Sequence, residues 1–323
     1  MNKLKGGNIY MKRMMKSVLA IFLTLGLLVA CGGGSSKGAK VELGVASTQS
    51  VAVSERNPEQ IEFTTVVVGV ALKDDKVAYI SIDESQQFAE INGDVVETSA
   101  ALTKKQKGSD YGMLDASIAA GLGKEWDEQI IAVEEDLVGK TLEEVEAYFA
   151  GEEILSSSTM YLDHIQATVV KAINSTVSVE GVAKVGLGYH VGAQVKGDGL
   201  KPETTLEYAM LAVDADGKIV KALLDNAQEK AELVDGEWNL INLGKTKGEL
   251  KADYNMIIAS PIEKEWFEQN DAFMEYVEGK TVADVMAVGN PAEDEDLNTS
   301  VTMVISGIQA SIQHASDNLV EVK

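Results

Sequence analysis

The chain has one thiol, Cys31, and three histidines, His164, His190 and His314, that lie far apart in sequence. A lone cysteine forms no intrachain disulfide and supplies no cysteine-based metal site. The histidines do not fall at ligand spacing, and His164 and His314 read as helix-surface residues. No Gly-x-Ser-x-Gly, His-Glu-x-x-His, Walker or dinucleotide fingerprint is present, and no Asp-x-Asp-x-Asp-Gly loop. The glycine-rich "GLGYHVG" at 186–192 falls in an expected strand region. No catalytic residue and no metal ligand is therefore assigned. What remains is aromatic. "KEWDEQ" at Lys124–Gln129 returns as "KEWFEQ" at Lys264–Gln269, and Trp has only three copies in the chain. Trp126 and Trp266, with Tyr111 and Tyr254, could stack on a planar ligand, each stacked pair contributing roughly 0.5–1.5 kcal/mol. The competing reading is packing: Trp126, Ile130, Val133 and Leu137 fall on one helical face, and Trp266, Phe273 and Val277 repeat it. Glu125, Glu128 and Gln129 are placed to hydrogen-bond the loop before that helix.

The motif does not repeat alone. "DYGMLDAS" (110–117) matches "DYNMIIAS" (253–260) at an offset of 143 residues, as Thr103-Lys104 matches Thr246-Lys247. "VGKT" (138–141) matches "EGKT" (278–281), and "TMYLDHIQA" (159–167) matches "TMVISGIQA" (302–310). Order and spacing hold over most of the chain, which reads as a tandem duplication of a unit of about 140 residues, a usual domain size. Repeat 1 is placed at 41–179 and repeat 2 at 180–323, with the join in Thr176–Lys184.

Each unit must position its Trp and Tyr with few elements. Glu62–Leu72 and Leu206–Val213 read as strands, joined through Asp74-Asp75 and Asp216-Gly217 turns to Val77–Ile82 and Ile219–Leu224. Ser260-Pro261-Ile262-Glu263 reads as the start of the Trp266 helix, which ends before Gly279. Thr141 and Thr281 look like caps of a short second helix. "STMYLD" and "VTMVIS" read as a short strand, and Asp163-x-x-Gln166 and Ser306-x-x-Gln309 as capping boxes of a last helix. Strands early and helices late give an α+β fold, two tandem homologous domains, each a small antiparallel sheet packed with helices.

The N-terminal region points outside the cytoplasm. Lys12, Arg13 and Lys16 precede the apolar run Val18–Ala30, which is shorter than the roughly 20 residues that span a bilayer as a helix. Residues 1–30 therefore read as a signal peptide, with translation read as starting at Met11. "LVAC" followed by "GGGSS" resembles the lipobox of bacterial lipoproteins. That resemblance implies that Cys31 is lipidated and becomes the first residue of a membrane-anchored, extracytoplasmic chain, with 31–40 as a flexible tether. Loss of the five basic residues of the leader takes the net charge from −23 to −28. Such acidity excludes nucleic acid and anionic polymers as partners.

The unit as a whole resembles the FMN-binding domain of bacterial surface lipoproteins and of Na⁺-pumping and Rnf-type electron-transfer subunits. Those domains carry a "DGKI" turn, as at Asp216–Ile219, and a Ser-Gly-Ala-Thr-x-Thr-type motif before the final helix, whose last Thr holds FMN through a phosphoester. Here the corresponding segments are Leu155–Thr159 and Asn298–Thr302, which keep Ser-x-Thr without the Gly-Ala. The resemblance implies FMN at Thr159 and Thr302, non-covalent or attached at one repeat only, with Trp126, Trp266, Tyr111 and Tyr254 as stacking candidates and Lys104 and Lys247 as nearby cations. It also implies electron transfer to a redox partner. Two other classes stand beside it: a surface module binding another small molecule or a wall component without flavin, and a structural or interaction lipoprotein.

Overall fold

The computed structural model describes residues 38–322, apart from 56, 93–94, 99–101, 152 and 242–243. The leader, Met11, Cys31 and most of the tether lie outside the described residues.

Alternating apolar residues make β2 (Gln60–Lys73) and β3 (Lys76–Asn92) one long hairpin. Asp74 and Asp75 close it with φ of 53° and 61°, the left-handed pair a two-residue turn needs. β1 (Ala39–Val53) pairs along β2, β4 (Val95–Thr98) extends the far side of β3, and β5 (Val177–Val182) pairs with the start of β1. The first sheet is antiparallel, in the order β4-β3-β2-β1-β5. The second is built from β6 (Lys184–Lys196), β7 (Lys201–Val213), β8 (Ile219–Val234), β9 (Glu237–Ile241) and β10 (Val320–Glu321), in the order β10-β6-β7-β8-β9. Read from the other end, this is the order of the first sheet. The expected α+β class with two antiparallel sheets is what the chain adopts. The join falls at Ala183, because β5 belongs to the first sheet and β6 opens the second.

Helices follow β4 as α1 (Lys104–Lys107), α2 (Leu114–Ala119), α3 (Trp126–Leu137), α4 (Leu142–Ala150) and α5 (Asp163–Asn174). After β9 come α6 (Lys247–Leu250), α7 (Trp266–Val277), α8 (Val282–Met286) and α9 (Ser306–Asp317). One face of each sheet receives its helices. Val66, Val68, Val70 and Ile82 pack on Trp126, Ile130, Val133, Val169 and Ala172, and Ala209, Leu211 and Leu224 on Trp266, Phe273, Ile308 and Ile312. The two sheets then pack on each other. Val41, Leu43, Val67 and Ala71 of the first meet Leu187, Leu206, Tyr208 and Met210 of the second in one buried cluster. A smaller cluster closes the other end around Ile61, Phe63 and Ala231. The layering is helix, sheet, sheet, helix, and residues 37–323 form one compact unit.

Several local expectations change. The two strands expected in each half, β2 and β3 and then β7 and β8, run longer than the apolar pattern indicates, and an unexpected strand, β1 or β6, precedes each pair. The helix carrying Trp266 starts at Trp266, not at Ser260. Glu265 is its N-cap, in a capping box with Glu268, and Ser260 remains in the preceding loop. No strand forms at "STMYLD" or "VTMVIS": the backbone N–H of Thr159, and those of Thr302 and Met303, are taken by buried glutamine side chains instead. The capping boxes at Asp163 and Ser306 are also absent: the N-caps are Leu162 and Ile305, with no side-chain cap. Thr141 and Thr281 do cap α4 and α8 with full boxes. The repeated Gly-Lys-Thr marks where the C-terminus of α3 or α7 is pinned to the sheet. Gly139 N–H donates to Val77 O at 2.7 Å and Gly279 N–H to Ile219 O at 2.8 Å, each glycine with positive φ.

Candidate functional site

The repeated "KEWxEQ" begins a helix with its own side chains. Glu128 accepts from the N–H of Glu125 at 2.8 Å, and Glu268 does the same for Glu265, also at 2.8 Å. The N-cap carboxylate reaches further back: Glu125 accepts from Met113 N–H and Glu265 from Met256 N–H, both at 2.8 Å. The glutamine then joins two loops. Gln129 Nε2 donates to Ser117 Oγ at 3.1 Å and to Lys124 O at 2.9 Å, while its Oε1 accepts from Thr159 N–H at 2.9 Å. Gln269 Nε2 donates to Ser260 Oγ at 3.0 Å, and its Oε1 accepts from Thr302 N–H at 2.8 Å and Met303 N–H at 3.0 Å. Both glutamines are fully buried, and their amides satisfy backbone groups of both loops. The structure thus ties Thr159 to the helix that carries Trp126, and Thr302 to the helix that carries Trp266.

Trp126 and Trp266 are 3% and 4% exposed and belong to the helix-side cores, so packing is their first role. Tyr111 and Tyr254 are half-buried beside them. A lysine covers each pair. Lys104 Nζ lies 5.0 Å from the Tyr111 ring centre and 5.5 Å from that of Trp126, and Lys247 Nζ lies 5.1 Å from Tyr254 and 5.8 Å from Trp266. These are cation–π distances.

The two lysines differ in their partners. Lys104 is bonded to Glu84 at 2.6 Å, and Glu84 also takes His164 at 3.2 Å. Burial alone would lower the Lys104 ammonium, but Glu84 outweighs it and holds the lysine above its ordinary range. The position corresponding to Glu84 in the second half is Asn226, and that of His164 is Gly307. Glu207 from β7 takes the vacated space, so close to Gly307 that a Cβ there would lie 1.5 Å from the carboxylate. Burial lowers Lys247 below its ordinary value and raises Glu207 above its own, each opposed by the other's charge.

Sequence reasoning missed a buried aspartate in each half. Asp83 accepts from Thr103 Oγ1 at 2.6 Å, from Lys105 N–H at 3.1 Å and from the Tyr189 hydroxyl of the other half. Asp225 accepts from Thr246 Oγ1 at 2.5 Å and Gly248 N–H at 2.9 Å, and burial pushes it up to about 6. The available signal was a charged residue at an inward register of a strand, in "SID" and "LLD". His164 lies exposed on its helix as expected, while His314 is partly covered. His164 is paired with Glu84, His190 is exposed on β6, and His314 packs its ring 4.6 Å from that of Tyr189.

These residues do not fit a flavin stacked between Tyr and Trp. The indole faces are inside the core and the remaining approach is covered by lysine. The helix starts that could receive a phosphate carry carboxylates, Asp163 in α5 and Glu207 against Gly307 in α9. A cleft of about 560 Å³ lies elsewhere, between Gln60, Phe88, Glu90 and Glu97 at the edge of the first sheet. Among the described residues no cluster of acids and histidines can hold a metal ion, and no helix is long and apolar enough to cross a membrane. Comparison with protein-family models, curated proteins and solved structures yields no match.

Proposed function

We propose that the protein is a membrane-anchored extracytoplasmic lipoprotein that uses an FMN-binding-domain-like scaffold, present twice by tandem duplication, as a surface binding module without flavin. The observation that carries this reading is the lysine lying over each Tyr–Trp pair, which occupies the place where a planar cofactor would stack. The identical order of strands in the two sheets supports the duplication, and the shared seam supports one working body rather than two. Lipidation of Cys31 supplies the anchor. Anchoring is tested with Cys31→Ser in the native host: the variant is expected in the soluble or unprocessed fraction, and unchanged membrane retention with normal processing would refute it.

A second reading, FMN-binding and electron transfer to a redox partner, is favoured by one feature. Thr302 lies half-buried in the loop that leads directly into α9, where the family places its flavin-bearing Thr. Protein purified from its native host separates the two. Colourless protein that does not bind FMN in titration supports the module. A fluorescent flavin band on denaturing gels, lost in Thr302→Val, supports the electron carrier.

A further inference from the structure

We propose that Lys247 is a carbonyl-reactive amine, forming an imine with small aldehydes or ketones, and that Lys104 at the corresponding position is not. The proposal does not depend on whether flavin is bound. It rests on a difference within one molecule. Lys104 and Lys247 both follow a capping threonine, Thr103 and Thr246, and both lie over a Tyr and a Trp ring. Lys104 is tied to a carboxylate at 2.6 Å. Lys247 has no carboxylate within ion-pairing distance among the described residues, because Asn226 stands where Glu84 stands in the first half. An amine bound to a carboxylate stays protonated and non-nucleophilic. One that is buried without an acid partner loses its proton more readily, the usual way a lysine is activated toward carbonyls.

The surroundings suit the reaction. Attack of Nζ on the carbonyl carbon forms the C–N bond and, after proton transfer to oxygen, a carbinolamine. Loss of its hydroxyl as water forms C=N, and Nζ gives up its remaining proton. The leaving hydroxyl needs a proton donor and the nitrogen a proton acceptor. Glu207 is the carboxyl nearest in electrostatic effect, and burial keeps it protonated to higher pH than an ordinary glutamate. Asn226 Nδ2 donates to Glu207 Oε1 at 3.2 Å and holds it in place. The other charged groups acting on Lys247 are Glu203 of β7, Lys196 of β6 and Asp225 of β8, and of these Glu203 is already paired with Lys196 at 3.0 Å. Access is through the half-buried side chains of Lys247 and Tyr254.

The test is reductive trapping on the full chain. The protein is incubated with benzaldehyde and cyanoborohydride near neutral pH, and labelled lysines are timed by peptide mass mapping. Lys247 is expected to label several-fold faster than Lys104, because its amine has no carboxylate partner. Asn226→Glu is expected to slow Lys247 to the rate of Lys104, and Glu84→Asn to accelerate Lys104. Equal rates for the two lysines in the unmodified protein would overturn the proposal, and that comparison holds even if a variant fails to fold. A fast Lys247 that is unaffected by Asn226→Glu in a folded variant would overturn it too.

Discussion

At the scale of single residues, the buried amides and carboxyls carry more of the site than the aromatic rings do. Gln269 holds Thr302, Met303 and Ser260 with one side chain. Gln269→Leu keeps the volume but orphans these groups, and each buried orphan costs about 1–3 kcal/mol. Denaturant unfolding is expected to show a loss on the order of 3 kcal/mol, and a loss below about 1 kcal/mol would mean that water replaces the amide. Asp225 gives a pH dependence. Its folded value of about 6 lies above that of a free aspartate, near 3.9. The protonated form is thus favoured in the fold. This contribution is complete below about pH 4 and is lost as pH rises toward and through about 6. Asp225→Asn is expected to flatten the stability profile over that window, as read by melting temperature against pH.

At the scale of elements, the last helix of each half packs closer to the sheet than side chains normally allow. A Cβ on Gly188 of β6 would lie 2.0 Å from Ala315 N and 2.2 Å from Ser311 O, and one on Gly44 of β1 would lie 2.3 Å from Ala172 O. Both contacts are with helix backbone, which cannot swing aside. Gly188→Ala is therefore expected to destabilise by roughly 1–3 kcal/mol through overpacking, measured by thermal melting. An unchanged melt would mean that α9 shifts freely on the sheet. The pinning of the Gly-Lys-Thr loop on β3 and β8 fixes the other end of the helical layer in the same way.

At the scale of the molecule, the seam between the sheets decides how the halves behave. Leu187, Leu206, Tyr208 and Met210 are buried in the cluster they share with the first sheet's face. A fragment of residues 184–323 is expected to dimerise or to bind a separately made 38–182 fragment, because the bare seam is apolar. A monomeric fragment with a cooperative melt would refute this. Within the seam stands Glu229, 2% exposed, with Thr204 Oγ1 donating to its Oε2 at 3.4 Å and no cation beside it among the described residues. Burial raises it well above the ordinary glutamate value. Its contribution is present at low pH and declines as pH rises toward that raised value. The corresponding residue of the first half is Gln87, so the position accepts an amide. Glu229→Gln is expected to raise stability at neutral pH and to reduce its fall from acid to neutral. A variant that melts lower at pH 7 would show the carboxyl is needed there.

The amino-acid pattern by itself determined the class of the fold and the repeated order of elements. These follow from local periodicity, turn residues and internal repetition, all of which act within a few residues or recur visibly along the chain. It also marked Glu125, Glu128 and Gln129 as partners of the preceding loop. Where α7 begins was set by the local Glu265–Glu268 capping box in place of the expected Ser-Pro start, and that "VTMVIS" is a loop depended on Gln269 bonding to groups distant in sequence. Only the tertiary structure decided that the sheets share a seam, since the inward faces of β1 and β6 look alike whether they meet each other or solvent. Only the tertiary structure, too, separated Lys104 from Lys247. Their neighbours in sequence are similar, and the difference lies in Glu84, Asn226 and Glu207, brought beside them by strands about 20 to 40 residues away.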